Sequence, residues 1–128
     1  MKNINVKKKI RPEEHHYEVL SGKGIITGEL LGGCLDVFPM ITGTEIWPSR
    51  DEWKDKILLV ETSEDKPSPG LITLYLRNLG AQGILKQING ILVGKPQNEK
   101  YYEEYKEVYR TILKEFIANH CLSFIMSI

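Results

Sequence analysis

The chain has 128 residues, with 17 Lys and Arg against 17 Asp and Glu, and carries no formal net charge at pH 7. That length suits one domain with a single core. The charge balance argues against a generic nucleic-acid binder, which needs a basic face. No run reaches the ~18 consecutive apolar residues of a membrane span. The N-terminus has charge but no apolar segment behind it, so no secretory signal is read and a cytoplasmic protein with reduced thiols is expected.

Residues 1–20 are polar and charged with little periodicity, and read as an arm or interdomain linker rather than core. Lys7, Lys8, Lys9 and Arg11 form a basic cluster there, read as solvated rather than phosphate-binding. Residues 22–30, a short β-branched run between glycines, predict a strand. Gly22, Gly24 and Gly28 surround that strand instead of following one and opening a helix, so they are not a dinucleotide fingerprint.

Residues 31–44 begin with a Gly-Gly pair, read as a turn. They continue with Leu35, Phe38 and Ile41 at near-helical spacing, and Pro39 confines any helix to a short one. Residues 45–55 read as a loop. Residues 56–61, "KILLVE", form a continuous apolar run of the kind expected for a strand covered on both faces. Residues 67–83 predict a helix with proline near its start and Gly80 or Gly83 past its end, burying Ile72, Tyr75, Leu76 and Leu79. Residues 88–94 predict a strand.

Residues 98–120 give the strongest helical pattern. Asn98 is expected to cap it, with Tyr101, Tyr105, Val108, Ile112 and Phe116 as the buried stripe. Glu103, Glu104 and Glu107 interleave with the tyrosines, which argues against a base-stacking platform. Residues 121–128 predict a final strand. Strands alternating with helices imply a layered α/β domain with a largely parallel sheet. Ending on a bare apolar strand suggests truncation.

Few side chains offer chemistry. His15 and His16 are adjacent, and His120 stands alone at a helix end, so no metal site is expected. Cys34 and Cys121 match no zinc or redox spacing, and no cofactor motif is found. No serine lies in a nucleophile elbow. Glu61 remains, at the carboxyl end of an apolar strand, where open α/β sheets collect reactive groups. A carboxylate there can orient and charge-stabilise a histidine. It can equally be the first solvated residue after the strand, and position alone favours that bland reading.

The order "GKGIITGELLGGCLDVFPMITGTEIWP", "KILLVETSEDKPSPGLITLYLRNLGAQGIL", "INGILVGKP" resembles the C-terminal domain of the LD-carboxypeptidase family of serine peptidases, over roughly residues 20–120. That family includes the muramoyl-tetrapeptide carboxypeptidases and the microcin C self-immunity peptidases, and the long Trp-Pro loop is closer to the second group. The resemblance implies a layered β/β/α swivelling-type domain over residues 21–128. It makes Glu61 the acid of a Ser-His-Glu triad, and puts Gly33 and Cys34 against substrate, where many members have asparagine at the position of Cys34. Cys34 can also be a small buried filler.

The resemblance further implies an N-terminal serine domain as partner, and a catalytic histidine in a Gly-His pair beyond Ile128. Alone, the fragment is then expected to be inactive and to self-associate, for example as a homodimer, through surface meant for its partner. The expected substrate is a murein tetrapeptide losing its terminal D-alanine, or a microcin C-like peptidyl-nucleotide. A different class of reading is a non-catalytic binding or assembly module derived from the family.

Overall fold

A computed structural model describes residues 18–22, 25–117 and 125–127, the last three as backbone. Five strands form one sheet in the order β1-β5-β4-β3-β2, with β1 at Glu18–Ser21, β2 at Leu30–Cys34, β3 at Ile57–Glu61, β4 at Gly90–Val93 and β5 at Ile125–Ser127. The pairs β2–β3, β3–β4 and β4–β5 are parallel, and β1 joins the edge antiparallel to β5. Among the described residues three α-helices accompany the sheet: a single turn, α1, at Phe38–Ile41, then α2 at Pro69–Ala81 and α3 at Tyr102–Ile117. This is the expected α/β architecture with a largely parallel sheet.

Local chemistry sets the helix boundaries. Ser68 caps α2 by accepting a hydrogen bond from the Leu71 N–H, and Pro69 occupies the first turn, where its missing N–H costs nothing. Ile72, Leu76 and Leu79 form the buried stripe of α2, with Tyr75 half-buried beside them. In α3, Tyr105 and Ile112 of the expected stripe are buried and Val108 and Phe116 are half-buried, while Tyr102 and Tyr109 enter the core as well.

The connections β3–α2–β4 and β4–α3–β5 step in the same direction across the sheet. Right-handed crossovers therefore set both helices on one face. The two helices pack on each other, with Gly80 of α2 so close to the Phe116 ring that a Cβ would lie 2.6 Å from Cε1. Arg77 and Glu115 bridge the same pair at 2.7 Å. On the far side of α3, Lys106 reaches Glu18 of β1 at 2.9 Å and ties the edge strand to the helix layer.

Four sequence expectations need correction. The strand expected at 22–30 lies instead at Leu30–Cys34, and the Gly-Gly pair is its interior, not a turn. The cause is a close approach: a Cβ on Gly32 would sit 1.8 Å from the Leu59 carbonyl oxygen, and its φ of +158° suits only glycine. Second, β3 is not covered equally on both faces. Leu58 and Val60 are fully buried, Ile57 and Leu59 only half, as one-sided helix packing requires. Third, Asn98 does not cap α3. It sits in a separate turn at Gln97–Glu99 with φ 53°, and α3 starts at Tyr102. Fourth, Glu18–Ser21 form β1, so the sheet takes in the last positions of the segment read as an arm. The basic cluster at 7–11, His15, His16, His120 and Cys121 lie outside the described residues.

Candidate functional site

The carboxyl ends of β2, β3 and β4 meet at one edge of the fold, and Glu61 is the last residue of β3. Its side chain is exposed while its backbone is held on both sides. The Leu35 N–H donates to the Glu61 carbonyl at 2.7 Å, and the Gly94 N–H donates to the Val60 carbonyl at 2.8 Å. Gly94 matters here through its missing side chain. A Cβ on it would lie 3.2 Å from the Glu61 Cβ, close enough to push the glutamate aside.

The structure brings Cys34 directly opposite Glu61 in the parallel ladder, and Gly33 opposite Val60. Gly33 is directed at the core, where a Cβ would meet the Phe38 ring at 3.8 Å. Cys34 is half-buried, and its thiol donates to Asp36 Oδ1 at 3.0 Å. Burial, then the hydrogen bond and charge of Asp36, push the Cys34 thiol up to about 11, so it remains protonated at neutral pH.

Sequence reasoning passed over Asp36, which organises this corner. Its Oδ1 also accepts the Ser63 N–H at 3.0 Å, and its Oδ2 accepts the Ser63 hydroxyl. Burial pushes the Asp36 carboxyl up, but the hydrogen bonds from Cys34 and Ser63 outweigh it and hold the group below the usual carboxylate range. Ser63, two residues past Glu61, spends its hydroxyl on this aspartate and also accepts from the Asp65 N–H at 3.3 Å.

The turn is anchored a second time at its far end, where the buried Tyr105 hydroxyl donates to the Pro67 carbonyl. A signal for Asp36 existed in the sequence: it lies two residues past the position that pairs with Glu61. That relation is visible only once β2 is placed at Leu30–Cys34.

Among the described residues no group of three or more His, Cys, Asp or Glu side chains could hold a metal ion. No helix among them is long and apolar enough to cross a membrane.

Comparison with known proteins places this arrangement in a family. The sequence pattern of the LD-carboxypeptidase C-terminal domain matches residues 27–128. Among solved structures, an MccF-like protein from Streptococcus pneumoniae, determined in complex with AMP, is 31% identical with a TM-score of 0.76. That match covers 94% of this chain and 37% of the streptococcal one. An MccF-like protein from Bacillus anthracis str. Ames is 26% identical with a TM-score of 0.68, over 87% of this chain and 32% of that one. The microcin C7 self-immunity protein MccF, in an inactive-mutant apo state, shares the fold at 21% identity and a TM-score of 0.64, over 98% of this chain and 37% of that one. Comparison with curated proteins gives no match. This chain thus spans about a third of the length of the solved proteins it resembles, and it belongs to the LD-carboxypeptidase family, matching its C-terminal domain.

Proposed function

We propose that the chain is the C-terminal domain of a cytoplasmic serine peptidase in which Glu61 is the acid of a Ser-His-Glu triad. The observation that carries this reading is an exposed carboxylate at the carboxyl end of β3, its backbone held between Leu35 and Gly94. A carboxylate fixed in this way can accept a hydrogen bond from an imidazole N–H, set the tautomer and stabilise the imidazolium. The nucleophilic serine, on a preceding domain, adds to the scissile carbonyl carbon and gives its proton to the histidine. The histidine returns that proton to the departing amine, and water then hydrolyses the acyl-enzyme.

The substrate class we favour is a peptidyl- or aminoacyl-nucleotide, because the streptococcal relative, at 31% identity, was solved with AMP bound. A murein tetrapeptide losing D-alanine is the competing substrate. In this reading Gly33 and Cys34 lie near the substrate, Cys34 as the cross-strand neighbour of Glu61.

With the nucleophile and the proton shuttle assigned to segments outside this chain, the chain alone is expected to be inactive. Exposed Val19, Leu30, Met40 and Ile46 are apolar surface available for a partner domain or for self-association, which light scattering at high concentration detects.

The test joins this chain to a serine-bearing N-terminal domain and the Gly-His segment of a family member. Release of D-alanine and of free nucleotide is then assayed on the two substrates. Glu61→Gln should lower kcat on the order of 10²- to 10⁴-fold, the scale of losing a triad carboxylate. Full activity in that variant sinks the assignment.

A second reading, a binding or assembly module without catalysis, draws on one observation. The serine hydroxyl two residues past Glu61, that of Ser63, is already engaged by Asp36. Failure of the joined enzyme to turn over either substrate, with the fold intact, would favour it.

A further inference from the structure

We propose that Asp36 is the positioning residue for Glu61, fixing the turn that follows the glutamate and thereby the direction of its carboxylate. The inference rests on the triad reading above and goes beyond it. Glu61 is the point where β3 leaves the ladder: its carbonyl still pairs with Leu35, but the next residues are no longer strand. What holds them is side-chain chemistry. One carboxylate, two residues past the end of β2, receives the Cys34 thiol and the Ser63 N–H on Oδ1 and the Ser63 hydroxyl on Oδ2.

Glu61 therefore stands between two fixed points, the Leu35 N–H at its own carbonyl and the Asp36 carboxylate at Ser63. A strand end held at only one of these points would fray, and the exposed glutamate would sample several directions. Productive orientation of a reacting group within a fraction of an ångström is where such supporting contacts act. The bonding pattern also separates geometry from charge. Asparagine at position 36 can keep Oδ1 toward Cys34 and the Ser63 N–H, and turn its NH₂ toward the Ser63 hydroxyl, which then accepts.

The experiment has two arms. In the joined peptidase, Asp36→Ala is expected to lower kcat about tenfold with KM within about twofold, and Asp36→Asn to stay within about threefold of the parent. Ser63→Ala, which keeps the N–H contact, should lose about threefold and serves if Asp36→Ala folds poorly. Added to Glu61→Gln, Asp36→Ala should cost nothing further, because the two act as one unit. In the 128-residue chain, hydrogen exchange of the Ser63 amide should accelerate most in Asp36→Ala and markedly less in Asp36→Asn, with the amides of α2 and β4 unchanged.

The inference is overturned if Asp36→Ala leaves kcat intact, or costs the same factor with and without Glu61. A fully active Glu61→Gln enzyme overturns the triad reading itself. An impaired Glu61→Gln beside a harmless Asp36→Ala overturns only the role of Asp36.

Discussion

Two regions of this molecule are held together by different physics. The layer between the sheet and helices α2 and α3 is apolar area: Leu58, Val60, Ile72, Leu76, Leu79, Ile91 and Ile112 are almost wholly withdrawn from water. The turn from Glu61 to Pro67 buries little besides Pro67 and relies on a few directed hydrogen bonds, from Ser63 to Asp36 and from Tyr105 to Pro67. Apolar burial is non-directional and scales with area, so it gives the fold its stability. Hydrogen bonds contribute less net stability but fix atoms in place, which a reacting carboxylate requires. Stability and function should therefore come apart on mutation.

The largest stability effect belongs to the core layer. Leu76→Ala, at a fully buried position, is expected to cost about 3 kcal/mol through lost transfer energy and a cavity. Denaturant unfolding followed by circular dichroism measures it, and a loss below about 1 kcal/mol would mean the helix layer is less tightly packed than its burial implies.

Next comes the far anchor of the turn. Tyr105→Phe removes the donor to the Pro67 carbonyl and leaves that acceptor without its partner, at about 1–2 kcal/mol. The near anchor should respond to pH. The Asp36 carboxyl is held below its usual range in the fold, so it contributes stability above its unfolded pKa of about 4, lost as pH falls through the lower folded value. Asp36→Asn should therefore be less stable than the parent at pH 7 and indistinguishable from it near the acid limit. A gap that widened in acid would have the wrong sign.

The smallest effect is expected at the α2–α3 surface. Arg77→Ala breaks a bridge to Glu115 between largely solvated side chains and should leave the unfolding midpoint unchanged. A clear drop would show that the helix layer relies on directed contacts as well.

Much of the helix layer was legible in the sequence. The spacing of Ile72, Leu76 and Leu79, with proline at the start of their helix, marked α2 because apolar periodicity and capping are local properties. The apolar run ending at Glu61 marked β3 and put its carboxylate at a strand end for the same reason. The glycines misled. Gly32 and Gly33 read as a turn, since sequence cannot register that a neighbouring strand's carbonyl lies where a side chain would go. With β2 misplaced, Asp36 had no visible relation to Glu61 and was passed over. Asn98 misled similarly, because a capping residue is recognised by type while its backbone angle is set by the surrounding loop.

The sequence by itself determined the α/β alternation, the amphipathic faces of α2 and α3, and a glutamate closing an apolar strand. All of these depend on residues near one another in the chain. Only the tertiary structure decided that Cys34 pairs with Glu61, that Asp36 reaches across to Ser63, and that Gly94 leaves room for the glutamate. Those relations join residues 27 or more positions apart, through a register set by the packing of strand on strand.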